Sequence, residues 1–384
     1  MKRGAEDDVV LKLLHTADWH LGREFPSFSE DARRKLARAR VDVLDNIFAE
    51  AERNDVDAVL CAGDLFDGPS PTQDFWSQLT TRLQGKQWTR PVFLLPGNHD
   101  PLIAESVWKN SKFRAALPAF VHVVEDELLE FPLSEGAVLY AVPCRSKAGQ
   151  GDPTEQIPKR LPGDERIRIG MVHGSTFDAG DWQTNFPISR EAAVERGLDY
   201  LAIGDTHGFR LVPPERLTPP TVYPGTPEPT AFDESEPGHV ALVLINRQRR
   251  ARVEKRRVAH WTWEATRVLD LSALRALASR TDLSNRVLRL TVDMQVSAPE
   301  YEEAEALLAE LGGTEARHAK AGVLELAREG LTLDVSNVGA QLEALPAVLQ
   351  ATVRRLQELA TDVSLRPAAE RALIHLLQAA KGAA

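Results

Sequence analysis

Aspartate, asparagine and histidine recur in a series of short segments along this chain: Asp18-Trp19-His20, Gly63-Asp64-Leu65-Phe66-Asp67, Gly97-Asn98-His99-Asp100, His173-Gly174 and Gly204-Asp205-Thr206-His207. Their side chains offer hard oxygens and imidazole nitrogens, ligand types suited to manganese, iron or zinc, and none of the segments offers a thiolate. One Asp-x-His or Gly-Asn-His-Asp stretch alone is ordinarily a turn or a helix cap. The ordered series, with each member following an apolar run, points instead to a metal centre.

The elements that must position these segments are legible as alternating periods. Strands are expected at Val10–Leu14, Asp57–Cys61, Val92–Leu95, Ala137–Val142, Ile167–Val172, Tyr200–Ile203 and His239–Ile245. A long helix is expected over residues 30–53, where Leu36, Val43, Leu44, Ile47, Phe48 and Ala51 share a face. Ser70-Pro71 has the cap-then-proline form of a helix start, with the helix running through Thr80. Strands alternating with helices make a layered α/β domain, and the segments then fall at C-terminal strand ends, where ligands gather in such sheets. The proline-dense stretch Val212–Pro229 reads as an ordered loop crossing an edge.

Composition changes near Val258–Glu264, which divides the chain into domains at 1–260, 261–335 and 336–384. In the second, strand, helix, strand and hairpin are expected from Arg267 to about Val335, with Val287–Val292 and Val323–Leu326 the clearest strands. The tail carries helical patterns at Pro346–Leu359 and Pro367–Leu377. A length of 384 residues fits this division, and the 43% apolar fraction fits a globular chain. With no long uncharged apolar run and no apolar signal core after Met1-Lys2-Arg3-Gly4, a cytoplasmic protein without membrane contact is expected. Cys61 and Cys144 lie in apolar runs, as buried thiols do. A net charge of −10 leaves local patches and metals to supply any attraction for nucleic acid.

The ordered segments resemble those of calcineurin-like metallophosphoesterases, a resemblance that covers the chain to about residue 245. It implies a β-sandwich flanked by helices, here followed by a small α/β cap and C-terminal helices. It further implies two divalent metals, one held by Asp18, His20, Asp64 and His207 and the other by Asp64, Asn98, His173 and the residue at Asp205, with Asp64 bridging. Such a pair activates a water, neutralises the non-bridging oxygens and assists the leaving oxygen of a phosphodiester. His99 is similar to the family's catalytic histidine near the leaving group; the alternative is a histidine that only orients Asn98.

Within that superfamily, His15-Thr16-Ala17-Asp18-Trp19-His20-Leu21-Gly22, Gly63-Asp64-Leu65-Phe66-Asp67, and Tyr223-Pro224-Gly225-Thr226 followed by an acidic stretch resemble the SbcD-type nucleases of DNA double-strand-break repair. The tail around Leu365-Arg366-Pro367-Ala368-Ala369-Glu370-Arg371-Ala372-Leu373 resembles the helices by which such nucleases dock on an ATPase. The resemblance implies a manganese-dependent DNA exonuclease with endonuclease capacity, with magnesium, iron or zinc as alternative metals. Its implied partners are DNA and an SbcC-like coiled-coil ATPase, and it leaves a homodimer open. Arg23 and Arg210 are the candidate DNA contacts nearest the ligands, ahead of the Arg33–Arg40 cluster and of Arg145 with Lys147, for which a solvated face is the alternative. Trp19 reads as a packing wall rather than a stacking platform.

The chain departs from the family where Gly-His-x-His is usual and Gly204-Asp205-Thr206-His207 stands. This segment mimics the opening motif of protein serine/threonine phosphatases, but it comes last in the chain. Rival functions are a small-nucleotide or protein phosphodiesterase or phosphatase, and a weakly catalytic subunit that recruits DNA.

Overall fold

The computed structural model describes residues 8–176, 185–214, 218–312, 319–334, 347–362 and 364–382. The chain divides into two units, Met1–Trp261 and Thr262–Ala384.

In the first unit, strands β1 (Val9–Thr16), β2 (Ala58–Cys61), β3 (Val92–Leu94) and β4 (Val121–Val123) run parallel. The antiparallel strands β11 (His239–Asn246) and β12 (Ala251–Arg257) complete their sheet in the order β12-β11-β1-β2-β3-β4. The second sheet runs β5-β6-β7-β8-β10-β9: β5 (Leu129–Ser134), β6 (Ala137–Ala141), β7 (Ile167–His173), β8 (Tyr200–Gly204), β10 (Thr221–Tyr223) and β9 (Arg210–Val212). Strand β10 lies inside the stretch read as a loop, and β9 ends at its first residue; β10 pairs parallel with β8 and antiparallel with β9.

Side-chain alternation along each strand explains the layers. In β1, Leu11 and Leu13 face the core between the sheets with Leu60, Phe93, Leu139, Ile169 and Tyr200. Leu14 faces the opposite way, toward helices α1 (Glu30–Arg53) and α2 (Gln73–Gln84), which supply Ile47, Phe48 and Leu79. The short helix α3 (Ser111–Ala116) adds Phe113 to that layer. The short helix α4 (Ala192–Glu195) covers the outer face of the second sheet, where Ala192, Leu201 and Ile203 are buried. The result is the expected β-sandwich flanked by helices.

Helix α1 has the predicted bounds, with the Ser29 side chain accepting from the Ala32 N–H. Helix α2 starts after Thr72 rather than at Ser70-Pro71. The preceding residues are committed elsewhere: the Pro69 carbonyl accepts from the Val107 N–H at 2.7 Å, and the Ser70 hydroxyl donates to the Glu105 carbonyl at 2.8 Å.

In the second unit, β13 (Thr262–Val268), β14 (Arg286–Val296) and β15 (Val323–Leu333) are all parallel. Helices α5 (Leu271–Ala278) and α6 (Ala298–Leu311) make the crossovers that parallel pairing requires. Where a hairpin was expected, a helix precedes the final strand, opened by a Ser297–Glu300 capping box and buried through Ala304, Leu308 and Leu311, while Val323–Leu326 is a strand as expected. Helices Ala347–Leu359 and Arg366–Gly382 follow; Pro346 and the 335/336 boundary lie outside the described residues. Val353 and Leu373 are fully buried on Leu333, with Leu356, Leu376 and Tyr301 beside them. The chain itself thus covers part of the tail's apolar face. Among the described residues no helix is long and apolar enough to cross a membrane.

Candidate metal centre

All the motif segments lie at C-terminal strand ends: Asp18 after β1, Asp64 after β2, Asn98 and His99 after β3, His173 ending β7, and Asp205 and His207 after β8. The turns that present them are conformationally costly. Asp18, His20, Asp64 and Asp205 all have positive φ, at 54°, 44°, 54° and 109°. Left-handed backbone at non-glycine residues persists where surrounding structure enforces it, and it clusters at functional sites. Here the enforcement is visible: the Asp18 N–H donates to the Gly63 carbonyl and the His20 N–H to the Asp64 carbonyl, each at 3.0 Å. Gly97 must be glycine, since a Cβ would collide with the Asp64 carboxylate and backbone nitrogen. Buried Asp100 locks two loops together, accepting from the Phe66 N–H at 3.0 Å and the Gly97 N–H at 2.8 Å.

The imidazoles share one design. His173 Nδ1 meets the Ala62 carbonyl at 2.8 Å, His207 Nδ1 meets Glu234 Oε1 at 2.6 Å, and His20 Nδ1 faces Asp67 Oδ1 at 3.2 Å. An oxygen behind Nδ1 orients the ring and turns Nε2 toward the cluster. Those Nε2 atoms converge: His20 and His207 are 3.0 Å apart, and Asp64 Oδ2 lies 3.8 Å from His20 Nε2 and 3.5 Å from His173 Nε2. The other Asp64 oxygen accepts from the His99 N–H at 2.9 Å. On the His173 side, Asn98 Oδ1 is 3.2 Å from His173 Nε2, and Asp205 Oδ1 is 3.4 Å from Asn98 Nδ2. The second Asp205 oxygen accepts from the Ser175 hydroxyl, and the Asp205 N–H donates to Asp18 Oδ1 at 3.0 Å.

Donor atoms of Asp18, His20 and His207 lie within 4.8 Å of one another, as do those of Asp18, Asp64 and His173, and those of His20, Asp67 and His99. Nearly dry carboxylates facing imidazole nitrogens suit divalent cations, and in their absence the crowded groups share protons. Burial pushes Asp18 up to about 7 and His20 down to about 4. At Asp64, burial is outweighed by His173, His20 and His99, which hold the carboxyl below its usual range. At His173, burial is outweighed by Asp64, then Asp18 and Asp205, which hold the imidazole well above its usual range. The cluster therefore retains protons that cations can displace.

His99 stands at the mouth, with 45% of its side chain exposed, 4.9 Å ring to ring from His20 and with Nδ1 3.3 Å from the Asp67 carbonyl. Arg23 is beside it, pairing with Asp67 at 3.1 Å. Arg210 is exposed at the start of β9. Trp19 is buried, its indole N–H donating to Thr16 Oγ1 at 2.9 Å, so it is a packing wall.

Arg40 does not belong to a solvated basic face. It is buried, and its guanidinium donates to the Trp19, Glu228 and Pro229 carbonyls at 2.8, 2.7 and 2.9 Å. Burial lowers its pKa only to about 10, so it stays charged at neutral pH. Glu234, Ser175 and Glu228 had no assigned role in the sequence. Only the acidic stretch after Gly225-Thr226 hinted at Glu234, because its partnership with His207 spans 27 residues.

Comparison with known proteins agrees with this geometry. Residues 11–209 match the profile of the calcineurin-like phosphoesterase family, which uses a dinuclear metal site. An uncharacterized metallophosphoesterase, YhaO of Bacillus subtilis, is 24% identical over 308 residues, 76% of this chain and 73% of its own. The SbcD component of the SbcCD nuclease of the same organism is 36% identical over 272 residues, covering 61% of this chain and 66% of its own. The DNA double-strand break repair protein Mre11 of Methanosarcina acetivorans is 36% identical over 253 residues, 62% of this chain and 37% of its own. The chain belongs to the calcineurin-like phosphoesterase family and is a metal-dependent phosphodiesterase.

Proposed function

We propose that this chain is a manganese-dependent DNA nuclease, an exonuclease with endonuclease capacity acting in DNA repair or processing. One observation carries the metal assignment: a single oxygen, Asp64 Oδ2, lies between the Nε2 atoms of His20 and His173, which come from different sheets. Asp18, His20, Asp64 and His207 would hold one ion, and Asp64, Asn98, His173 and Asp205 the other. Two divalent ions there would supply an activated water and neutralise charge on the phosphate. His99, anchored through Nδ1, offers Nε2 to the leaving oxygen. Arg23, oriented by Asp67, would take a phosphate next to the scissile one, and Arg210 one further along the strand.

The reading of DNA as substrate is supported by the relatives named as a nuclease component and as a double-strand break repair protein. An SbcC-like ATPase would dock on the tail surface around Leu365, an exposed apolar residue at the start of the last helix. Leu365→Glu should abolish co-purification with that ATPase while leaving phosphodiester hydrolysis intact.

The deciding assay supplies the purified chain with manganese and offers plasmid, linear duplex and a p-nitrophenyl phosphodiester. Cleavage of linear duplex from its ends, with slower nicking of plasmid, is expected. Hydrolysis of the small ester alone would make the chain a small-substrate phosphodiesterase. DNA retention without cleavage would make it a recruiting subunit.

A further inference from the structure

The Asp18-Trp19-His20 loop is held from beneath by a network that leads away from the metal centre. Arg40, reaching in from α1, donates to the Trp19 carbonyl at 2.8 Å, between the two candidate ligands. The Thr226 hydroxyl lies 2.9 Å from the Asp18 carbonyl and 2.8 Å from the Glu228 carbonyl. The other side of the guanidinium grips the Glu228 and Pro229 carbonyls at 2.7 and 2.9 Å. The Glu228 carboxylate then accepts from consecutive backbone amides, His260 N–H at 2.8 Å and Trp261 N–H at 2.9 Å. Trp261 is the last residue of the first unit, so these amides belong to the segment through which the chain passes into the second.

Arg40, Thr226 and Glu228 are all buried. A buried guanidinium and a buried carboxylate are expensive to retain when stability is the only gain, since apolar residues of similar volume commonly serve as well. What this pair does that apolar residues cannot is fix particular carbonyls and amides in register: those flanking the ligands at one end, and those of the connector at the other. We propose that Arg40 and Glu228 are positioning residues that set the Asp18-Trp19-His20 loop for metal and tie it to the connector at His260–Trp261. The inference rests on the metal-centre reading above. Because coupling between two sites is reciprocal, a connector that positions the ligand loop must itself be steadied when the loop binds metal.

Glu228→Gln tests this with little change of shape, because the amide keeps one acceptor oxygen and loses the other. The full-length chain is titrated with Mn²⁺ by calorimetry, and hydrogen exchange of the connector peptide is followed with and without Mn²⁺. Expected results are slowing of the His260 and Trp261 amides by Mn²⁺ in the wild type, loss of that slowing in Glu228→Gln, and binding weakened by about 10-fold, the lower end of what partners behind the ligands contribute. Arg40→Lys keeps the charge but cannot reach three carbonyls, and should weaken Mn²⁺ binding further. Connector exchange indifferent to Mn²⁺ in the wild type, or Glu228→Gln binding Mn²⁺ with undiminished affinity, overturns the proposal. A wild type that binds no Mn²⁺ overturns the metal-centre reading instead, and this proposal with it.

Discussion

The two flanks of the metal centre are built on different electrostatic plans. On the His20–His207 flank each imidazole has a carboxylate standing behind it, Asp67 behind His20 and Glu234 behind His207. On the His173 flank the imidazole is backed by a neutral carbonyl, that of Ala62, and the charge has moved forward onto Asp205 itself, steadied by Ser175. Charge behind a ligand raises its basicity without occupying a coordination position. Charge in the ligand lowers the net positive charge that the metals present to phosphate. In the proposed ligand set, the Gly-Asp-x-His departure would place a forward charge on the His173 flank where a histidine would add none.

The largest expected effect lies where the flanks meet. His99→Ala should lower the cleavage rate by roughly 10²- to 10⁴-fold, the range for lost acid–base help, with both metals retained. Metal analysis of the purified variant checks this, and loss of an ion would make His99 a prop for Asn98. Next, Glu234→Gln should weaken metal binding on the first flank by roughly 10- to 100-fold. Ser175→Ala on the second flank removes one hydroxyl hydrogen bond of about 1 kcal/mol, roughly a 5-fold effect. Calorimetry of both variants with Mn²⁺ would dissolve the contrast if their losses were equal.

The smallest expected effect is a displacement rather than a loss. In the proposed site, Asp18, Asp64 and Asp205 would set three carboxylates against two divalent ions; Asp205→His would leave two and a more positive centre. A more positive centre lowers the pKa of the attacking water, so the acidic limb of the pH–rate profile should move to lower pH. Tolerance should also widen toward softer metals. If Asp205→Asn left metal affinity and pH profile unchanged, Asp205 would serve only Asn98 and Ser175.

How much of this was legible depends on the distance over which each signal acts. The motif segments and the strands before them are local, and the structure puts each where it was expected. Arg40 was legible by spacing, since it falls on the same helical face as Leu36, Val43 and Ile47, all buried. Its charge suggested the surface because the acceptors that satisfy it come from loops up to 189 residues away. Glu228 and Glu234 were hidden similarly, inside and just after a proline-dense stretch that reads as an ordered loop with no partner named for its carboxylates. Helix α6 was misread because it buries only a narrow face, although its Ser297–Glu300 capping box was present in the sequence. Pairing over long separations decided Arg40, Glu228 and Glu234, and no periodicity records it.

In the proposed site Asp64 would bridge two metals. Counting manganese per chain by elemental analysis after equilibration and desalting tests it most directly, in the wild type and in Asp64→Ala, with circular dichroism to verify folding. Two ions per wild-type chain, falling below one in folded Asp64→Ala, is the expected result. A wild type that holds a single ion, or a folded Asp64→Ala that still holds two, would contradict it.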